Sequence, residues 1–173
     1  MSEASDTMPG DVHAYVASIA DKVDAVDLPP HWPTCLGCGP DNEAGFHLQV
    51  RREGGEVVAE HTFADRHSGA PGIAHGGAVA TVVDDVLGFL LYVARIAGVT
   101  RHLEVEYLKP VLTGVPYVVR AKVDALDGRK LWVSCACTAP DGTVTFTAKA
   151  LFLQVKLSHF AQAASGTADP VAP

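Results

Sequence analysis

One long apolar segment, with strand-like segments on both sides, places the strongest constraint on the fold of this 173-residue chain. Residues 78–97 are apolar nearly all round at helical spacing, so we predict one helix there that is buried on most sides and ends at Gly98. The most apolar run within it, residues 86–97, is too short to span a bilayer and contains Arg95. The segment is therefore predicted to be the core helix of a single globular domain.

The segments around this helix show the alternation of apolar and polar residues that is typical of strands. Glycine-containing turns separate them, for example Gly54-Gly55 and Asp127-Gly128. The predicted strands are residues 46–52, 56–63, 101–107, 115–126, 130–138 and 143–155. Two strands, one helix and four strands predict an α+β fold with an antiparallel sheet over the helix. One helix cannot cover both faces of such a sheet, so the other face is solvated or meets a second subunit.

The ends of the chain have a different composition from the centre. Residues 1–9 are predicted to be a disordered leader, and residues 10–34 an amphipathic helix over 11–26 followed by a proline-rich connector. The main domain is predicted over residues 35–157. Residues 158–173, rich in Ala, Ser, Gly and Pro, are predicted to form a disordered tail.

Composition and charge exclude several classes of function. The hydrophobic fraction of 48% is that of a globular protein, and the net charge of −7 argues against a nucleic-acid-binding protein. The first ten residues are polar and lack the apolar region of a signal peptide. We therefore expect a cytoplasmic protein that binds neither nucleic acid nor a membrane.

The sequence His75-Gly76-Gly77 stands where the core helix begins. Its glycines allow a substrate to approach the backbone closely because they have no Cβ. The first turn of a helix has free N–H groups and the positive end of the dipole, so it can hold a carbonyl oxygen that gains negative charge. Asp84, about two turns later, can supply a base or a nucleophile. Together these features indicate acyl-transfer chemistry.

One face of the core helix carries small residues around this carboxylate. At i+3 and i+4 spacings the face presents Gly77, Ala80, Thr81, Asp84 and Gly88. We expect it to admit a ligand or a partner helix, with Gly76, Thr81 and Gly88 as substrate-binding positions. The adjacent Asp85 points about 100° away on the helix, so we expect it to have a structural or solvated role.

Scattered basic residues offer weaker predictions. Arg101 is a candidate for contacts with substrate phosphates, and so are Arg66, His67, Lys109 and Lys130.

The cysteines raise the question of a metal site. Cys35 and Cys38 have the CxxC spacing of zinc ligands, but a structural zinc ion requires four ligands. The other pair, Cys135 and Cys137, lies far along the chain, and no second CxxC and no HxxxH completes a set. We therefore predict a glycine-rich turn with two small apolar thiols, and no metal or cofactor.

Two spacings in the sequence match a known family. Asp84 follows His75 by nine positions, and Thr100 follows Asp84 by sixteen at the start of a strand that leads to Lys109-Pro110. Over about residues 35–155 the chain resembles the hotdog-fold thioesterases, in particular the group related to phenylacetate-degradation thioesterases and human thioesterase-superfamily proteins. The resemblance implies a hotdog fold, with a sheet of five to six strands wrapped around the long helix.

The resemblance also implies a chemistry and an assembly. Asp84 would be the general base or nucleophile, and Gly77 would donate its N–H to the thioester carbonyl while His75 helps to orient that oxygen. Thr100 would position the water or the carboxylate. Such enzymes hydrolyse acyl-CoA without a metal, as dimers or dimers of dimers.

Helix geometry tests this assignment independently. Seven residues at about 1.5 Å rise separate Gly77 from Asp84 by roughly 10 Å, so one thioester carbon cannot lie within about 3 Å of both. Either only one of them is catalytic, or the site combines Gly77 of one subunit with Asp84 of another. We hypothesise the second. The depth of the acyl pocket is expected to depend on how Phe89, Leu90, Leu91 and Tyr92 pack with the facing subunit.

Two other functions stay open at this point. The first is a non-catalytic acyl-CoA-binding module with the same fold. The second is a hydratase or dehydratase acting on an acyl thioester, which would need an acid–histidine pair directed at the α and β carbons. His75 and Asp84 are not placed together for this within one subunit.

Overall fold

The structure is a computed structural model that describes residues 12–160. Three helices are present in this range, α1 (Val12–Ile19), α2 (Gly76–Gly88) and α3 (Leu90–Ala94), together with a 3-10 turn at Asp65–His67. The strands are β1 (Val50–Glu53), β2 (Glu56–Thr62), β3 (Ser68–Ala70), β4 (Ile73–Ala74), β5 (Gly98–Tyr107), β6 (Pro116–Asp127), β7 (Lys130–Thr138) and β8 (Val144–Gln154).

Six of these strands form one antiparallel sheet in the order β1-β2-β6-β7-β8-β5, and α2 packs across it. The turns that join β1 to β2 and β6 to β7 place Gly54 and Gly128 at positive φ, 63° and 56°, where a side chain would be strained. This arrangement confirms the predicted hotdog fold. Strand β5 is one edge of the sheet.

The core lies between α2 and the inner face of the sheet. Five apolar residues of α2 are no more than 1% exposed: Val79, Val82, Val83, Val86 and Leu87. They pack against sheet residues such as Leu131 and Phe146, and each such burial contributes about 1.5–3 kcal/mol. By length and hydropathy alone the segment Gly76–Ala94 could span a membrane, but half of it is buried within the fold, as in a core helix.

The predicted helix over 78–97 is wrong at both ends and in its continuity. It begins at Gly76, bends at Phe89 and ends at Ala94, because Arg95 adopts a left-handed conformation with φ 57°. Arg95 is held there by an ion pair with Asp24 at 2.7 Å. Gly98 is already the first residue of β5, and a Cβ on it would lie only 2.8 Å from Leu91. Its role is therefore close packing.

The N-terminal helix is also shorter than the predicted 11–26. After Ile19 the chain turns and then pairs with β1, where Leu28 donates its N–H to Val50 at 2.9 Å. The residues before β1 are hydrogen-bonded to the loop that carries Cys35 and Cys38 rather than to a strand. The Leu48 N–H, for example, donates to the carbonyl of Gly37 in this loop at 2.9 Å. This is why only the end of the predicted strand over 46–52 is regular.

The predicted disordered ends fall mostly outside the described residues. The leader over 1–9 lies there entirely, as do residues 161–173 of the tail. Residues 158–160 are described and form a helical turn, so the tail prediction does not hold for them.

Candidate active site and an adjoining buried cluster

The His-Gly-Gly segment is fixed in place before the helix begins. Strands β3 and β4 form a small hairpin before α2, and the His75 N–H donates to the backbone carbonyl of His67 at 2.7 Å. His75 is the N-cap of α2, and its Nδ1 accepts the N–H of Gly77 at 2.9 Å. A neutral imidazole that accepts at Nδ1 carries its proton on Nε2. The exposed ring can therefore donate from Nε2 to a ligand.

This cap changes the role predicted for Gly77. Its N–H already has a partner in its own chain, while the N–H groups of Gly76 and Ala78 have none among residues 12–160. The carbonyl of Gly76 accepts the Tyr107 hydroxyl at 2.6 Å. The free donors at the helix start are therefore those of Gly76 and Ala78, together with His75 Nε2.

Asp84 and Thr100 come together as their spacing predicted. The Thr100 hydroxyl donates to Asp84 Oδ1 at 2.9 Å. Thr100 is exposed at an irregularity in the pairing of β5 with β8, and Asp84 is half-buried on α2. The pair therefore offers a positioned carboxylate that water can reach.

An open groove of about 530 Å³ runs past this pair. One wall is the small-residue face of α2, with Ala80 and Thr81, and Leu103 of β5 contributes as well. The opposite wall is the loop Cys35, Leu36 and Gly37.

The other predicted binding residues are distributed differently. The Thr81 hydroxyl is engaged, since it donates to the Gly77 carbonyl at 3.0 Å. Gly88 does not line this groove; it lies against His31 and lines a second, larger cavity. Arg101 is exposed and forms no ion pair within the described part of the chain. The segment of His75, Gly76 and Gly77 does not line this groove, and it does not line the second cavity described next.

A larger cavity of about 820 Å³ opens on the other side of Asp84 and Thr100. Its walls are mainly apolar and come from α1, α3, β8 and the chain after β8, including Tyr15, Ile19, Leu91, Tyr92, Phe152 and Phe160. Two of the four residues expected to set the depth of an acyl pocket, Leu91 and Tyr92, lie in this wall. The other two do not, because Phe89 and Leu90 are at most 1% exposed within the core.

Behind the groove wall lies a cluster that the sequence analysis missed. Asp85 Oδ1 lies 3.1 Å from His31 Nδ1, 3.2 Å from Cys35 Sγ and 3.4 Å from Cys38 Sγ. The Asp85 side chain is only 6% exposed, so a solvated role is excluded for it. The prediction that Cys35 and Cys38 form only a glycine-rich turn is incomplete.

Mutual hydrogen bonding shifts the pKa values in this cluster. Burial raises the pKa of Asp85, although the hydrogen bond from His31 opposes it. Burial alone would lower the pKa of His31, but its hydrogen bonds with Asp85 and Cys35 raise it to about 9. Hydrogen bonds from Cys38 and His31 lower the pKa of Cys35. The hydrogen bond with Cys35, together with burial, raises the pKa of Cys38. These shifts favour a charged imidazole beside the Cys35 thiolate.

A signal for this cluster was present in the sequence. His31 stands four positions before Cys35, and the core helix carries two successive carboxylates. The cluster contains neither a second CxxC nor an HxxxH. Its other two members are a lone upstream histidine and an aspartate from a distant helix.

Comparison with known proteins agrees with this architecture. The family model described as the thioesterase superfamily matches residues 71–146. Rat acyl-coenzyme A thioesterase THEM4 is 36% identical over 88 residues, which are 50% of this chain and 38% of the relative. Mouse acyl-coenzyme A thioesterase THEM5 is 30% identical over 95 residues, 54% of this chain and 38% of the relative. The chain thus spans less than two fifths of the length of these curated relatives.

Solved structures show the same fold. The thioesterase superfamily protein RHA08564 superposes with a TM-score of 0.65 at 25% identity, over 88% of this chain and 82% of that one. A hypothetical thioesterase from Streptococcus pneumoniae, solved with coenzyme A, gives 0.59 at 18% identity over 62% and 85%. The PaaI protein of the E. coli phenylacetic acid degradation operon gives 0.61 at 13% identity over 68% and 88%. The chain therefore carries a hotdog domain, and residues 71–146 of it match the model of the thioesterase superfamily.

Proposed function

We propose that this protein hydrolyses acyl-CoA thioesters to a carboxylic acid and CoA. The observation that carries the proposal is the hydrogen-bonded pair of Asp84 and Thr100, set between an open groove and an apolar cavity. A volume of about 820 Å³ is within the range of pockets that hold small molecules. The acyl group would occupy the apolar cavity and place its thioester at the carboxylate. The thioesterase names of the relatives support this substrate class.

In this proposal Asp84 activates the nucleophile. Thr100 holds Oδ1, so Oδ2 can take a proton from a water molecule that attacks the carbonyl carbon. The tetrahedral intermediate then collapses, the C–S bond breaks, and the CoA thiolate leaves with the proton that Asp84 received. Direct attack by the carboxylate, through an anhydride that water then hydrolyses, uses the same geometry.

The developing negative charge on the carbonyl oxygen is assigned to the start of α2. His75 Nε2–H and the free N–H groups of Gly76 and Ala78 are donors at the positive end of the helix dipole. The Gly77 N–H could join them by exchanging His75 Nδ1 for the substrate oxygen.

We propose further that these donors and Asp84 act on one substrate only across two copies of the chain. The helix start lies about 10 Å from Asp84 along the same helix, too far for one carbonyl group. The edge strand β5 leaves Tyr107 49% exposed, and Leu108, which follows it, 46% exposed, which favours a partner at that edge. A homodimer, or a dimer of dimers, would complete the site. A cytoplasmic location stays a prediction.

Subunit complementation tests both parts of this proposal. His75→Ala and Asp84→Asn proteins, each assayed alone on a panel of acyl-CoA substrates with a thiol reagent, should be strongly impaired. When the two are unfolded and refolded together, half of the dimers are mixed and each mixed dimer has one intact site. Activity should then recover to about a quarter of wild type. No recovery would place the site within one chain, and a folded wild-type protein without turnover on the panel would contradict the activity.

A non-catalytic acyl-CoA-binding module is the second candidate, because the N–H of Gly77 is engaged by His75. Calorimetric binding of an uncleavable acyl-CoA analogue separates the two functions. If wild type binds the analogue but turns over no substrate, the protein is a binding module.

A further inference from the structure

We propose that His31, Cys35, Cys38 and Asp85 form a structural zinc site that fixes the groove wall to the core helix. Each residue offers one ligand atom, and the four atoms all lie within 4.8 Å of one another. Two thiolates, an imidazole and a carboxylate are ligands that zinc accepts, and four protein ligands leave no open position for catalysis. This inference concerns metal binding and does not depend on the proposed thioesterase activity.

The distances within the cluster suit a small tetrahedral ion. Ligand atoms about 2.0–2.3 Å from a zinc ion lie about 3.3–3.8 Å apart in a tetrahedron. Asp85 Oδ1 is 3.1 Å from His31 Nδ1 and 3.4 Å from Cys38 Sγ, and Cys38 Sγ is 3.4 Å from His31 Nδ1. Only small adjustments of side-chain torsions separate this packing from a coordinated site.

The surroundings are shaped to hold these groups together. A Cβ at Gly37 would overlap the carboxyl carbon of Asp85, and one at Gly88 would lie 3.1 Å from the His31 ring. Gly37 therefore lets the loop approach α2 closely. The backbone N–H of His31 donates to Cys38 Sγ at 3.2 Å, a bond that stabilises a thiolate ligand from outside the coordination sphere.

A purely hydrogen-bonded cluster explains this site less well. Asp85 Oδ2 is buried with no hydrogen-bond partner among the described residues, which is costly for a carboxylate oxygen, and either oxygen of a carboxylate can bind a metal ion. A divalent cation would neutralise the anionic groups that the loop and the helix bring together. Cys35 is half-buried whereas Cys38 and Asp85 are buried, and Cys35 and Asp85 line the groove, so the ion would sit within the groove wall.

Metal content of the full chain tests the proposal. Protein produced with added zinc and purified without chelators should hold about one zinc ion per chain, measured by mass spectrometry of the metal. Loss of a residue that only hydrogen-bonds a metal ligand weakens metal binding about 10–100-fold. Cys38 is a proposed ligand itself, so Cys38→Ser should weaken zinc binding by more than about 100-fold. Cys135→Ala, which removes a buried thiol of β7 outside the cluster, should keep the zinc.

A second measurement keeps the test valid if Cys38→Ser fails to fold. Wild-type protein loaded with Co²⁺ in place of zinc should show a thiolate-to-cobalt charge-transfer band and tetrahedral d–d bands. Chelation of wild-type protein should also lower its Tm, and added zinc should restore it.

Three outcomes would overturn the proposal. One is wild-type protein that takes up no zinc or cobalt on titration. Another is zinc content that Cys38→Ser does not change. The third is a disulfide between Cys35 and Cys38, found by peptide mass analysis of protein purified without oxidant.

Discussion

Asp84 and Asp85 are neighbours in sequence but occupy opposite kinds of environment. Asp84 faces an open groove, and one exposed hydroxyl, that of Thr100, donates to it. Asp85 is 6% exposed in its side chain and contacts an imidazole and two thiols. The rotation of about 100° per residue along a helix directs the Asp84 carboxylate to the open groove and the Asp85 carboxylate into the fold.

This difference separates two requirements of the site. A carboxylate that accepts a proton needs access to water and one orienting hydrogen bond, as Asp84 has. A carboxylate that anchors a loop needs burial and several partners, as Asp85 has. Both contribute to the same groove, since Asp85 holds the loop that forms the wall opposite Asp84.

The largest expected effect is on the stability of Asp85→Ala. This change removes the common partner of His31, Cys35 and the buried Cys38, which should lower the free energy of unfolding by about 3–5 kcal/mol. Asp84→Ala is the matched control and should lose less than about 1 kcal/mol, because its one hydrogen bond is exposed. Urea denaturation of both variants measures the difference. Equal losses of unfolding free energy would contradict the different environments of the two carboxylates.

Asp84→Asn should show the reverse pattern, with a large loss of turnover and little loss of stability. The amide cannot accept the proton, so kcat for acyl-CoA should fall about 10²–10³-fold. Glu60→Gln is the control, as it removes an exposed carboxylate of β2 that lines neither the groove nor the cavity. Steady-state assays at saturating substrate check both, and an Asp84→Asn enzyme with wild-type kcat would remove Asp84 from the mechanism.

Thr100→Val should have a smaller effect on turnover. The valine has a similar shape but cannot donate to Asp84, so the carboxylate loses its orienting bond and kcat should fall about tenfold. Thr100→Ser keeps the hydroxyl and should retain most of the rate. If the serine and valine variants behave alike, the hydroxyl has no role.

His61 makes its own contribution to the pH dependence of the free energy of unfolding. This contribution must be known before the stabilities of Asp84 and Asp85 variants are compared at different pH values. Burial, with a smaller contribution from His67, lowers the pKa of His61 to about 4. An unfolded histidine titrates near 6.5, so the unfolded chain binds more protons between these values and stability falls as the pH drops below about 6.5.

Between pH 7 and pH 5 the contribution of His61 should lower the free energy of unfolding by about 1 kcal/mol, after allowance for partial exposure of its ring. His61→Phe should flatten this part of the profile. Urea denaturation at the two pH values measures it. An unchanged profile in His61→Phe would assign the slope to other groups.

The sequence predicted the parts of this molecule that depend on local pattern. Strand β7 was predicted with its observed bounds, Lys130–Thr138, because alternation and the Asp127-Gly128 turn define it. The contact of Thr100 with Asp84 followed from the spacing that the family shares. The core position of the long helix followed from apolar residues on every face.

What the sequence could not predict depends on contacts between distant segments. The end of α3 is set by the left-handed Arg95 and its ion pair with Asp24, which lies 71 positions earlier. The cluster around Asp85 joins a loop to a helix across 54 positions, from His31 to Asp85. Hydrophobic periodicity and local motifs do not indicate which residues from distant segments will come into contact.

The separate roles of the two carboxylates are tested most directly by purifying Asp84→Asn and Asp85→Asn side by side and measuring acyl-CoA turnover and bound zinc on both. Asp84→Asn is expected to hold zinc as wild type does but to have lost turnover. Asp85→Asn, where folded, is expected to have lost zinc but to retain measurable turnover. Zinc lost from Asp84→Asn and kept by Asp85→Asn, or wild-type turnover in Asp84→Asn, would contradict these separate roles.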